Sequence, residues 1–438
     1  MCGNYGTKRI SKGSWMMRGR KLVSWLVGGV CCASVFGAGC SVAQPRAGES
    51  GSALRAPDQM YLFSPEDLER AAELVASGNE ALVYAREAVI AEAEAALAEP
   101  IVTVVDGKEG GKFTAPSGDP RDYVSLSPYW WPDPEKEDGL PFIRRDGEIN
   151  PDREKYDANK LGDFGENVRK LAMGYQVTGD ERFAERAAAH LRAWFVTPET
   201  RMIPRIQFGQ FVPGRSEGRK GGIIETNRIR FVADAVEMIK SSPAWTESDD
   251  AGVRQWYGEY AQWLMTSKHG KDERASENNH GTWCHTQIAQ YALFSGDTEL
   301  AAEIVQEGFV RIRDQIEPDG RQPHELERTM AADYSCFNLR ALTDMGIYAE
   351  KVGVDLLSYE TDDGRSIRRG IEFMVPYVTG HEEWPYQQIK PTRVNMYNQL
   401  YRMATLNIPG ADFSEAIEDL PELEPKDQWM AYFWPVED

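Results

Sequence analysis

The sequence predicts an all-α protein assembled from helical hairpins in the manner of an α/α barrel, interrupted by a long irregular aromatic loop. Three observations carry this expectation. Apolar residues recur at helical spacing over most of the chain from Ser64 onward. The stretch Leu171 to Asp180 ends one helical pattern with Gly179 and opens the next with Asp180, and Ile288 to Asp297 repeats that layout with Gly296 and Asp297. Helical periodicity disappears from Pro100 to about Asn159, where Gly, Pro and Asp crowd around Tyr123 to Asp133. Each hairpin buries its apolar face only against its neighbours, and counting such units gives about six or seven.

Residues 1–40 read as an export signal rather than as part of the fold. Lys8, Arg9, Lys12, Arg18, Arg20 and Lys21 precede an apolar run from Leu22 to about Ala38, with no Asp or Glu in the stretch. The run is short and Gly-rich for a membrane span. Gly37-Ala38-Gly39-Cys40 is similar to a bacterial lipobox, with Gly37 where Leu is usual, which predicts an outer-membrane lipid anchor through Cys40; ordinary cleavage after Ala43 is the alternative. Either outcome places the protein in the periplasm, or on the outer membrane, of a Gram-negative bacterium. Residues 41–58 are polar and bear Gly, Ser and Pro, as a flexible tether does. Residues 59–438 form a single domain of about 380 residues, ample for its own core.

Within that domain, Ser64-Pro65 starts a helix with a cap and a Pro at the first helical position, and a second helix over about Glu80 to Glu99 completes an opening hairpin. Phe142 to Gly147 reads as one short β-hairpin in the loop. Arg201 to Lys220 is irregular and basic, and Gly221 to Arg228 enters a helix running to about Ile239. Further helices are expected at Thr282 to Phe294, Thr298 to Ile316, Tyr334 to Val352, Gly364 to Val375 and Val394 to Leu406. Trp384-Pro385-Tyr386 and the tail Trp429, Phe433 and Trp434 read as packing that closes the domain.

Three polar clusters stand on this helical background. Asn278-Asn279-His280-Gly281 lies at a helix N-terminus, Arg321 to Thr329 includes Glu325 and Arg328, and Asp333-Tyr334-Ser335 opens another helix. An amide, an imidazole, a guanidinium and a phenol are what is needed to take a weakly acidic proton from carbon beside a carboxylate. For a uronic acid, Asn279 and Arg328 would meet the charge developing on the C6 carboxylate, His280 or Tyr334 would be the base, and the phenol could protonate the departing O4. Structural readings stand beside these. Asn278 and Asn279 suit a capping turn, Arg328 suits a surface ion pair, and Tyr334 suits the core with its hydroxyl at the rim. Tyr129, Trp130 and Trp131 offer flat faces to pyranose rings or else plug the end of the helical ring. Gln210, Arg215 and Glu225 are further site candidates, Glu225 either as a neutral acid donating to a carboxylate or as an ordinary residue at a helix N-terminus.

Asn278-Asn279-His280-Gly281, the block Gln322-Pro323-His324-Glu325-Leu326-Glu327-Arg328-Thr329 with Tyr334-Ser335, and the string Asp122 to Pro134 together resemble the alginate lyase-like polysaccharide lyases, within them the branch grouped as polysaccharide lyase family 38. The similarity extends over roughly 300 residues. It implies an incomplete α/α toroid that eliminates across the 4-linked glycosidic bond of a polyuronate. Carried over by motif, it makes Asn279 and Arg328 the carboxylate-neutralising pair, Tyr334 the acid and a candidate base, and His280 the base or its helper. The interval from Arg328 to Tyr334 is about one residue shorter than in that family's usual pattern.

Composition limits the partners. A net charge of −20, or −26 once the six basic residues of the export signal are set aside, argues against nucleic acid. An acidic polysaccharide then requires a basic groove on an acidic shell, for which Arg201, Arg205, Arg215, Arg219 and Lys220 are placed. Cys284 and Cys336 are the cysteines of the body, and the fold is not expected to depend on a disulfide. No metal and no cofactor is expected: His280 and His285, five apart, do not share a helical face, and no His-Glu-x-x-His string occurs. The expected state is a monomer. Two rivals remain, a glycoside hydrolase using Glu325, Glu327 or Asp333, and a non-catalytic glycan-binding lipoprotein.

Overall fold

Ser64 accepts the Asp67 N–H and Pro65 fills the first helical position, so α1 (Pro65–Ala76) begins where the sequence marks it. Asn79 caps α2 (Glu80–Leu97) in the same way, and the two helices pack as the opening hairpin. The computed structural model describes residues 54–111 and 113–436, which cluster as one compact unit. The export signal, Cys40 and most of the tether lie outside the described residues.

Between α2 and α3 (Asp157–Thr178) the chain is irregular, with β1 (Val124–Leu126), β2 (Trp130–Trp131) and β3 (Ile143–Arg144) as its regular pieces. After α4 (Glu181–Phe195) comes β4 (Phe208–Phe211), which pairs in parallel with β1 and so joins two irregular segments. β2 pairs antiparallel with β3. Phe142 to Gly147 is therefore not a hairpin in itself but supplies one strand, and the Trp-rich string supplies the other. A buried ion pair pins the base of this loop: Lys108 Nζ lies 2.8 Å from Asp157, both side chains are sealed from solvent, and the same Nζ donates to the Asp122 carbonyl at 2.7 Å.

The remaining helices are α5 (Val232–Ile239), α6 (Glu247–Thr266), α7 (Lys268–Arg274), α8 (Asn279–Ser295), α9 (Thr298–Val305), α10 (Glu307–Gln315), α11 (Pro323–Leu326), α12 (Ala331–Glu350), α13 (Ile367–Val378), α14 (Val394–Asn407), α15 (Ser414–Glu418) and α16 (Trp429–Phe433). The repeated helix–turn–helix layout is realised in the same way twice. Gly179 (φ 70°) and Gly296 (φ 91°) adopt the left-handed conformation that ends a helix, and Asp180 and Asp297 cap the helices that follow. α3 packs on α2, α4 and α5; α8 packs on α6, α9 and α12; α12 packs on α8, α13 and α14. α8 and α12 are buried on nearly every face, as helices of an inner layer must be. The result is an all-α toroid of helical hairpins that does not close as a barrel. Phe63, just before α1, lies 5.2 Å from the Phe433 ring and 4.9 Å from that of Trp434, so the tail packs on the opening hairpin.

Two predicted helices are interrupted. The expected helix from Gly221 to Ile239 is a 3₁₀ segment over Lys220–Ile229 followed by α5. The reason is local: Gly222 presses on the backbone of Gly209, where a Cβ would come within 2.6 Å, so the segment follows that contact rather than helical spacing. The helix expected from Thr298 to Ile316 restarts at Glu307, beside Gly308, whose bare Cα admits Leu356.

Candidate active site

Asn278 caps α8: its Oδ1 accepts the His280 N–H at 3.3 Å, and the side chain is half-buried. Asn279 and His280 thus occupy the first turn of α8, three residues earlier than the periodicity suggests. Asn279 is fully buried, and both its backbone N–H (2.7 Å) and its Nδ2 (2.6 Å) donate to Glu325 of α11. The sequence presented Asn279 as a donor facing substrate; in the structure it lies beneath the surface and fixes Glu325, with one Nδ2 proton left over. Burial pushes the Glu325 carboxyl up, against the two Asn279 donors and the nearby charges of Arg328 and His280.

His280 is held from the other side. Its Nδ1 lies 2.5 Å from Oε1 of Glu273, a fully buried carboxylate on α7. A carboxylate at Nδ1 makes that nitrogen the proton-bearing one and leaves Nε2 as an acceptor. Among the described residues Nε2 has no hydrogen-bond partner, and the ring is 28 % exposed. Glu273 was not singled out in the sequence, because nothing in its spacing from His280 reveals a fold-dependent contact.

Tyr334, in the first turn of α12, shares a 2.7 Å hydrogen bond with the hydroxyl of Tyr129 from the aromatic loop. The Arg328 guanidinium carbon sits 3.9 Å from the Tyr334 ring centroid, and Arg328 Nη2 lies 3.0 Å from Asp146. Burial, followed by Tyr129, drives the Tyr334 phenol well above its ordinary range, so it carries its proton at neutral pH. Asp146 also accepts from Thr329 Oγ1, at 2.9 Å, and pairs with Arg144. Against burial, which acts to raise it, Arg328, Thr329 and Arg144 hold the Asp146 carboxyl below the usual range.

The loop residues close the ring of contacts. Trp130 and Trp131 are half-buried, so neither ring is wholly enclosed in the core. Arg215 and Arg219 approach the Trp130 ring at 5.2 and 5.7 Å, and Arg145 approaches Trp131 at 5.3 Å. Of the expected basic run, Arg205 is bound bidentately by Asp122 at 2.7 Å, so its charge is compensated, whereas the exposed Lys220 donates to the uncharged Ser276 Oγ at 2.6 Å and Asp272 carbonyl at 2.9 Å. Gln210 is a non-glycine residue at φ 47°, a strained conformation found where function fixes the backbone. Its N–H donates to Ser125 Oγ at 2.7 Å, and Ser125 in turn donates to Glu225 at 2.5 Å. Glu225 is buried, also accepts from Tyr123 at 2.8 Å, and lies in the 3₁₀ segment. It braces Gln210 from below rather than facing a ligand, contrary to its reading as a substrate donor. A Cβ on Gly221 would lie 3.4 Å from both the Gln210 side chain and the His280 ring, so the three share one wall.

Contacts therefore run from Tyr129 to Tyr334, Arg328, Glu325, Asn279 and His280, and return through Glu273, Gly221 and Gln210 to the strands of the loop. The carboxylates a hydrolase would need are committed elsewhere: Asp333 binds Arg393 at 2.9 Å, Glu325 binds Asn279, and Glu327 is exposed on the turn after α11. Among the described residues no group of three or more His, Cys, Asp or Glu side chains could hold a metal ion, and Cys284 and Cys336 are unpaired and buried.

A family model described as alginate lyase matches residues 108–384. Among solved structures the chain is similar to an alginate lyase from Bacteroides ovatus, at 35% identity and a TM-score of 0.81, covering 86% of this chain and 100% of that one. It also shares its fold with two variants of alginate lyase A1-III complexed with tetrasaccharide. Each is 17% identical over 80% of this chain; 94% of one and 95% of the other are covered, with TM-scores of 0.52 and 0.53. No curated protein matches the sequence.

Proposed function

The chain belongs to the alginate lyase family and is accordingly a polysaccharide lyase, and from that premise we propose that it cleaves a 4-linked polyuronate, alginate or β-1,4-glucuronan, by β-elimination. Membership of polysaccharide lyase family 38, export, anchoring through Cys40 and a monomeric state belong to the same proposal. The observation that carries it is the Tyr334 phenol: protonated, covered by Arg328 and hydrogen-bonded to Tyr129.

The reaction follows from these placements. A uronate carboxylate beside Arg328 loses part of its charge, and the C5 proton becomes acidic. Asn279 contributes from the layer below through its remaining amide proton and its hold on Glu325. His280 Nε2 takes the proton, and Glu273 stabilises the imidazolium that forms. The electron pair left on C5 makes the C4–C5 double bond, the bond to O4 breaks, and Tyr334 gives O4 its proton. Tyr129 then donates its hydrogen bond to the phenolate. The products are a saccharide with a new reducing end and one with a 4,5-unsaturated uronate end.

One observation favours a second assignment of the base. Arg328 over the Tyr334 ring stabilises a phenolate, so Tyr334 could act at both C5 and O4 where these share a ring face, as in mannuronate and glucuronate. Purified protein on polymannuronate, polyguluronate and glucuronan tests both, with near-ultraviolet absorbance of the unsaturated product as the readout. Tyr334→Phe is expected to lower kcat at least about 10²-fold on every polymer cleaved. Loss of turnover on all polymers in His280→Ala assigns the base to His280, and survival on mannuronate or glucuronate chains assigns it to Tyr334. Binding of polyuronate without any unsaturated product would replace the lyase reading with that of a glycan-binding lipoprotein.

A further inference from the structure

Arg219 is half-buried, unlike the exposed Arg215, which shares the Trp130 ring and also lacks an ion pair among the described residues. Arg328 and Arg144 both pair with Asp146, while Arg205 pairs with Asp122. Among the described residues Arg219 forms no ion pair. Its Nη1 donates to an uncharged acceptor, Ser127 Oγ, at 2.8 Å, and its guanidinium lies against the Trp130 ring. Its backbone N–H is fixed on the Gly209 carbonyl at 2.9 Å, beside β4. Ser127 and Trp130 are thus a mount that fixes the position of a guanidinium without pairing it to a carboxylate.

The position matters as much as the charge. Arg219 precedes Gly221, which touches Gln210 and His280, and it lies near enough to Glu273 to feel that carboxylate. Trp130 follows Tyr129, the partner of Tyr334. Arg219 therefore lies over Trp130, two residues from the Gly221 that flanks His280, while Arg328 lies over the Tyr334 ring. Partial burial and the like charge of Arg144 both disfavour an isolated cation here, so an incoming anion relieves an existing penalty.

We propose that Arg219, mounted on Ser127 and Trp130, is a second carboxylate receptor, which holds a uronate other than the one undergoing elimination. This rests on the lyase reading and narrows its substrate class. With two guanidiniums fixed at separate points, the site selects chains in which acidic sugars follow one another over chains in which they alternate with neutral ones.

The test compares wild type, Arg219→Lys and Arg219→Ala on a contiguous polyuronate and on the same chain with about half of its carboxyl groups reduced to alcohols. Arg219→Ala is expected to raise KM on the acidic chain about tenfold or more while kcat changes little. It is also expected to lose most of the wild-type preference over the reduced chain, and Arg219→Lys, which keeps the charge but not the fork, is expected to fall between the two. Thermal midpoints of the three proteins establish that they are folded. An unchanged KM and an unchanged preference in Arg219→Ala overturn the proposal. If the wild type makes no unsaturated product, the lyase reading falls, and equilibrium binding of the acidic chain decides the receptor separately. Weaker binding by Arg219→Ala upholds it, and equal or absent binding by the two proteins overturns it.

Discussion

At the scale of single residues, the informative contacts are those the sequence could not show. His280, Arg328 and Tyr334 were recognisable from residue type and order, because their chemistry is unusual together. Glu273, Asp146 and the engagement of Asn279 with Glu325 were not, since each contact joins segments that only the fold makes neighbours. The short distance from Glu273 to His280 has a kinetic consequence. Glu273→Gln keeps the size of the side chain but removes the charge that favours the imidazolium. We expect kcat to fall about 10²-fold with KM nearly constant, as steady-state assays on the preferred polyuronate will show. A parallel loss of thermal stability large enough to unfold the variant would assign Glu273 to folding instead.

At the scale of elements, helices were legible wherever capping and periodicity agreed, as at Ser64, Asp180 and Asp297. They were misread where glycine pairs and close backbone contacts overrode the pattern, as at Gly209 and Gly222, and where a strand's partner lay far along the chain, as for Ile143–Arg144. The aromatic loop shows how an irregular segment stays rigid: parallel pairing with β4 holds one edge and the Lys108–Asp157 pair holds the base. Burial pulls the Lys108 amine below its ordinary range while Asp157 works to restore it. Lys108→Met leaves Asp157 buried with only Lys160 (2.9 Å) as a cationic partner. That variant is expected to lose about 3 kcal/mol of stability, read from the urea midpoint, because a buried carboxylate is stripped of its closer partner.

At the scale of the whole molecule, buried histidines set the acid limit. Burial, then Arg186, lowers His190 to about 4, and burial, then Arg311 and Arg274, lowers His285 to about 3. Above the unfolded value near 6.5 neither state is protonated and nothing is lost. Below it the unfolded chain takes up protons that the folded one refuses, so stability falls by ~1.4 kcal/mol per pH unit for each histidine until the folded value is reached. Asp234, raised by burial to about 6, acts oppositely as pH falls from 6 towards 4, as do the buried carboxyls of Glu325 and Asp344, which burial also raises. Urea midpoints measured from pH 7 to pH 4.5 isolate the histidine contribution: His285→Leu is expected to gain stability relative to the wild type as pH falls below 6.5. The acidic shell and the general plan of hairpins were legible from composition and repetition alone. The cluster of arginines over tryptophans was legible only as a charge requirement, because the residues that meet in it are far apart in sequence. The tip of the aromatic loop offers a practical use. Asp133 N–H meets the Gly139 carbonyl at 2.9 Å, and residues 134–138 between them are exposed. Because that hydrogen bond already closes the short exposed bow, a peptide inserted between its ends need not disturb the strands on either side, making it a natural attachment point for an affinity tag or a fluorophore.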